Sequence, residues 1–167
     1  SMIDVSAAVS MDDVIKKISD AGYEYNDLLE LFPPNTTDFA ATLTKIQANE
    51  PDVLALQEIK TEASKFPLAE IEATGYRCVL DGQKAYNGVA LLSRAEPADV
   101  STGIPDFADD QRRVIAATYG STRVINVYVP NGQSVGSDKY RYKLDWLDAL
   151  AGYLASELKR HERLAIV

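Results

Sequence analysis

The sequence is poor in three residues that often carry structure or chemistry: of 167, one is cysteine, one histidine and one tryptophan. A lone thiol, Cys78, closes no internal disulfide, so a reducing, cytoplasmic setting is expected and the core must hold the fold. Cys78 stands between Arg77 and Val79 in a strand-like run and reads as a buried structural thiol rather than a nucleophile. The lone histidine, His161, sits among Arg160, Glu162 and Arg163 at a helix end and reads as solvent-exposed. No stretch approaches the roughly 20 apolar residues of a membrane-spanning helix, and no signal-peptide pattern opens the chain. A basic balance is missing too. The net charge of −8, from 17 Lys and Arg against 25 Asp and Glu, does not suit a passive nucleic-acid binder. Acids still suit a nucleic-acid substrate where they hold metal ions against phosphates.

What is present is ordinary for a globular domain: 46% apolar and 25% charged residues, in a chain long enough for one real core. Seven of the acids fall in residues 1–37 against two lysines, leaving the remainder nearly balanced. Ser10 with Asp13 makes a capping-box-like helix start, and Gly22 a stop. Leu28 to Phe32 suits helix or strand, and Pro33-Pro34 ends either one. Phe39, Leu43 and Ile46 recur at helical spacing before Pro51. "DVLALQ" (52–57) is apolar almost throughout, as a strand covered on both faces must be. A short helix over 67–73 precedes the strand "YRCVL", and "GVALLS" (88–93), "RVIAATY" (113–119) and "RVINVYV" (123–129) follow. Gly120-Ser121-Thr122 is short enough to join the last two as a hairpin. A long helix over 139–160 is expected to face inward through Leu144, Leu147, Leu150, Leu154 and Leu158. "LAIV" (164–167) closes the order as another strand. This succession predicts an α/β fold, a layered mixed β-sheet with packed helices, with the four central strands in one sheet.

Two residues stand where open α/β sheets place ligand-binding groups, at strand ends. Glu58 follows "DVLALQ", and taken alone reads as a turn or capping acid. Tyr128 lies at the end of "RVINVYV" before a loop rich in hydrogen-bonding groups, and taken alone reads as an amphipathic edge residue.

In combination, "PDVLALQE", "YNGVALLSR", "DQRRVIAA", "INVYVPNG", "YKLDWLDAL" and "ELKRHERLAIV" resemble the bacterial exonuclease III family of Mg²⁺-dependent abasic-site endonucleases. That family belongs to the endonuclease/exonuclease/phosphatase superfamily, and the likeness runs collinearly over 38–167. It implies half of that superfamily's α/β sandwich, a DNA partner and a Mg²⁺ (or Mn²⁺) cofactor. It implies that Glu58 binds the metal and that Tyr128 sits by the scissile phosphate, as hydrogen-bond donor or as phenolate. Asn87 matches a position near the DNA backbone, Arg112 or Arg113 an arginine near the phosphates, and Asn131 a loop position close by.

Residues 1–37 do not match the family's opening Trp-Asn-x-Asn strand and read as a segment of separate, chimeric origin. In the family the strand matching "LAIV" leads into Gly-Asp-x-Asn, whose Asp serves the attacking water, and a later Ser-Asp-His supplies a catalytic histidine. Neither motif occurs in these 167 residues. The expectation is therefore a truncated DNA-repair phosphodiesterase, inactive or nearly so as an isolated chain. The alternatives are a non-catalytic chimeric or engineered module that self-associates, and a phosphate-backbone binder without catalysis, which the net charge disfavours. A half domain is expected to bare an apolar face and to pair as a twofold homodimer.

Overall fold

A computed structural model of the chain describes residue 44 and residues 48–167. The expectations placed on 1–43 and 45–47 lie outside the described residues. Thr44, Ala48 and Asn49 are helical, within the helix expected before Pro51. The unit described below is Asn49–Val167.

Its elements run in the order β1 (Val53–Gln57), a 3-10 turn (Ala63–Lys65), α1 (Leu68–Glu72), β2 (Arg77–Asp81), β3 (Val89–Ser93), β4 (Ala98–Thr102), β5 (Val114–Tyr119), β6 (Thr122–Val127), α2 (Asp138–Arg160) and β7 (Arg163–Ile166). Strands β1, β3 and β2 form one antiparallel sheet, in that order. Strands β4, β5, β6 and β7 form a second, antiparallel except for the parallel β6–β7 pair. The expected hairpin is there: Tyr119 pairs with Thr122 across Gly120-Ser121, and Gly120 takes the positive φ of 58° that such a turn requires.

The four central strands do not share one sheet, which corrects the sequence reading. Burial of strands on both faces is expected where helices flank a single sheet. Here it comes from stacking two sheets face to face, since Val89 and Leu91 of β3 pack on Ile115, Ala117 and Val124 of β5 and β6. Strand β4 was missed altogether. All five of its residues are exposed, so no apolar alternation marks it, and a register shift between Ala98 and Ser101 blunts it as an edge.

Helix α2 covers the other face of the second sheet. Ser137 starts it by accepting a hydrogen bond from the Tyr140 amide at 3.1 Å. Trp146, Leu150 and Tyr153 meet Val114, Ala116, Ile125 and Val127 of the strands. The expected leucine face is only partly right: Leu144 is 44% and Leu158 57% exposed, and Leu147 and Leu154 flank the contact. The packed face is rotated by roughly a quarter turn, because the large rings of Trp146 and Tyr153 take its centre. His161 is also not a free surface group. Its ring is half-buried, with Nε2 at 3.6 Å from Glu157 Oε2, because Glu157 lies one turn earlier, buried in an ion pair with Arg123.

Candidate active site

Glu58 stands just beyond β1, in a left-handed conformation with φ 54°. Such a backbone is unfavourable for glutamate, and its neighbours hold it. The Ile59 amide donates to the Gly88 carbonyl at 3.2 Å and the Lys60 amide to the Asn87 carbonyl at 2.9 Å, bracing the Glu58 loop on the β2–β3 loop. Gly88 is required at that contact: its φ is 85°, and a Cβ there would stand 2.6 Å from Ile59 Cγ1.

Tyr128 follows β6 directly, and its hydroxyl donates to Glu58 Oε1. Glu58 Oε2 meets Lys60 Nζ at 3.0 Å. These two donors, Tyr128 first and Lys60 second, hold the Glu58 carboxyl below its usual range, so it is ionised at neutral pH. Burial and then the hydrogen bond to Glu58 push the Tyr128 phenol up, so it is a neutral donor. Arg113 lies over the Tyr128 ring, 4.6 Å from its centroid.

The remaining candidates are dispersed. Asn87 is buried, with Nδ2 donating to Gln83 Oε1 at 2.9 Å and reaching Gln111 Oε1 at 3.5 Å. It braces the loop from within. Arg112 is half-exposed and meets Asp81 at 3.5 Å. Asn131 is exposed, and its Oδ1 accepts from the Gln133 amide at 2.8 Å, a local turn contact. Cys78 is half-buried and its thiol is pushed up to about 12 by burial, as a structural cysteine would be.

Residues 29–167 match the model of the Endonuclease/Exonuclease/phosphatase family. The chain belongs to this family. It is 37% identical over 128 residues to an exodeoxyribonuclease III of Haemophilus influenzae, covering 73% of this chain and 48% of the relative. It is 26% identical over 157 residues to a DNA-(apurinic or apyrimidinic site) endonuclease of Dictyostelium discoideum, covering 89% and 43%. Among solved structures, a 3′ phosphatase from Neisseria bound to product DNA hairpin superposes with a TM-score of 0.74 at 44% identity, over 78% of this chain and 51% of that one. An AP endonuclease from Archaeoglobus fulgidus gives 0.65 at 45% identity, over 67% and 44%. The chain spans about half the length of the curated relatives it matches.

For a member of the Endonuclease/Exonuclease/phosphatase family, the donor set around Glu58 sets what metal it could hold. The Glu58 side chain is 39% exposed, and among the described residues no three His, Cys, Asp or Glu side chains converge. One ionised, accessible carboxylate fits Mg²⁺, which is held by one or two carboxylates and completed by waters and substrate oxygens. It does not fit an all-protein cage.

Several supporting residues escaped the sequence reading. Asn126, fully buried in β6, donates to the Leu56 carbonyl at 2.8 Å and the Ala90 carbonyl at 3.0 Å, and its Oδ1 accepts from Gln57 Nε2 at 3.2 Å. It ties the two sheets together beside Glu58 and Tyr128. An amide in the middle of the apolar run "VINV" was the available signal. Lys60, two residues after Glu58, carried none.

Proposed function

We propose that this chain carries the metal- and phosphate-handling corner of a Mg²⁺-dependent phosphodiester hydrolase acting on DNA, of the exonuclease III and abasic-site endonuclease kind. The supporting observation is the Glu58–Tyr128 pair, in which an ionised carboxylate and a neutral phenol from two different sheets meet at strand ends. Bound at Glu58, Mg²⁺ would offset the negative charge of a phosphodiester and polarise its oxygens. Glu58 supplies the anionic ligand. The Tyr128 hydroxyl turns its proton toward an adjacent phosphate oxygen, and Lys60, released from Glu58, adds a mobile positive charge. Gly-Asp-x-Asn and Ser-Asp-His do not occur among these residues, so the polypeptide alone turns over slowly. Mg²⁺-dependent association with abasic duplex DNA and slow cleavage, both lost in Glu58→Gln, are expected. A wild type and a Glu58→Gln variant that behave alike overturn the assignment.

Self-association belongs to the same reading. Among the described residues β7 is the edge strand of the second sheet, and its last residue, Ile166, and the following Val167 are about half-exposed. An uncovered apolar edge invites pairing with a second copy. Sedimentation equilibrium at micromolar concentration should show a dimer; a strictly monomeric profile removes this part of the proposal.

A further inference from the structure

Arg113 is buried and almost fully engaged. Its Nε and Nη2 both donate to Gln111 Oε1, at 2.9 and 2.8 Å, and its Nη1 donates to the Tyr128 carbonyl at 3.1 Å. The guanidinium lies over the Tyr128 ring at 4.6 Å, and the Arg113 carbonyl accepts from the Tyr128 amide at 2.7 Å. An arginine whose fork is already satisfied has few donors to offer a phosphate. Arg112, half-exposed and paired only at 3.5 Å, is the arginine that keeps them.

The contacts continue away from the site. The Gln111 amide donates to Asp109 Oδ1 at 2.9 Å, and Asp109 Oδ2 accepts from the Tyr142 hydroxyl of α2 at 2.7 Å. The β4–β5 loop is thereby fastened to the long helix, and it presents Gln111 to Arg113 at a fixed place. Tyr128 needs such support because it lies past the end of β6, and a long phenol turns a small backbone rotation into a large displacement of its hydroxyl. Productive geometry tolerates only about 0.5 Å of error.

We propose that Arg113 is the positioning residue of Tyr128: fixed by Gln111, it grips the tyrosine by backbone and ring and aims its hydroxyl at Glu58, acting through Tyr128 rather than on a DNA phosphate. This rests on reading Glu58 and Tyr128 as the phosphate-handling pair. Labelling the full chain with 3-fluorotyrosine and assigning the Tyr128 ¹⁹F line through Tyr128→Phe gives a readout that needs no DNA. In Arg113→Ala and Gln111→Ala the line should move toward the free-tyrosine position and narrow as the ring begins to average. Gln111→Glu should keep the wild-type line, since a carboxylate accepts the same two donors, and Arg112→Ala should keep it too. On abasic duplex DNA, Arg113→Ala should reduce turnover about as much as Tyr128→Phe, roughly tenfold or more, with no further loss in the double variant. An unmoved Tyr128 line in Gln111→Ala, with Trp146 fluorescence showing it folded, overturns the proposal even if Arg113→Ala does not fold. So does a salt slope of DNA binding that falls by about one in Arg113→Ala while the line stays put, because that marks a direct phosphate contact. A wild type that shows the fixed line but neither binds nor cleaves DNA removes the nuclease reading and leaves the clamp standing.

Discussion

Strand β6 carries a charged cluster at each end, and the two are built to opposite rules. At its start, Arg123 and Glu157 meet at 2.7 Å with side chains 4% and 1% exposed. Both remaining nitrogens of that arginine are engaged: Nη1 reaches the Asp99 carbonyl at 2.6 Å and the Thr118 hydroxyl at 3.3 Å, and Nη2 the Ser101 hydroxyl at 2.9 Å. Arg160 closes the other carboxylate oxygen at 2.8 Å. Past the far end, Glu58 carries its charge in the open on a backbone that glutamate disfavours, held by a tyrosine and a half-exposed lysine. A structural ion pair is closed on all sides. A site that must take up a metal or substrate leaves valence available and accepts local strain.

The comparison is broken most directly at the closed end. Replacing Arg123 with Ala takes the 2.7 Å donor from the buried Glu157 Oε2 and leaves Arg160 as the carboxylate's one close cation, and urea unfolding should show a loss of about 3–5 kcal/mol. The Arg123→Met, Glu157→Leu double variant should recover most of that, because no unpaired charge remains. A loss below about 1 kcal/mol in Arg123→Ala would mean that water reaches Glu157.

The next largest effect separates the faces of α2. Leu150→Ala should cost about 2–5 kcal/mol, since Leu150 is packed between Trp146, Tyr153 and the second sheet. Leu158→Ala should change stability by less than about 0.5 kcal/mol, as exposed positions do. Equal losses at the two positions would put the helix back on its leucine face.

That helix shows where the sequence stopped being legible. Its span was readable, expected over 139–160 and found at Asp138–Arg160, because helical periodicity is a local signal. Its rotation was not, because the choice between the leucine stripe and the Trp146–Tyr153 stripe depends on the shape of the sheet beneath. The same limit applies to the sheets. The apolar run "DVLALQ" announced a strand covered on both faces, yet whether a neighbour lies beside a strand or across from it is a long-range fact. Glu58 and Tyr128 could be picked out through their strand-end positions and the family motifs, and the structure brings them together across 70 residues of chain. Arg112 or Arg113 was expected near the phosphates; the partners of Arg113, Gln111 and the Tyr128 ring, emerge only once the strands are paired.

At the open end, effects on stability should be small and effects on binding large. Glu58→Gly relieves the left-handed strain at φ 54° and loses two exposed polar contacts. The two changes oppose one another, so the urea midpoint should shift by no more than the equivalent of about 1 kcal/mol. Mn²⁺ binding followed by electron paramagnetic resonance should disappear in the same variant. A folded Glu58→Gly chain that still binds Mn²⁺ as wild type would move the metal ligand elsewhere.

The smallest effect is the pH dependence of Glu58. Its carboxyl is held below the ordinary value of 4.5, first by the Tyr128 hydroxyl and then by Lys60, so the folded chain binds this proton less readily than the unfolded chain. A carboxylate depressed in this way contributes stability above its unfolded value and loses it as the pH falls through the lower folded value. The stability difference between wild type and Glu58→Gln should therefore be constant from pH 6 upward, shrink once the pH drops below about 4.5, and vanish below the folded value. The side chain is more than a third exposed, and solvent screening keeps the whole difference under about 1 kcal/mol. Urea midpoints of the two proteins at closely spaced pH values between 2.5 and 6.5 would resolve it. A difference that grows as the pH falls would mean that protonated Glu58 is the form the fold prefers, which would reverse the donor arrangement around it and make the open end of β6 a closed one.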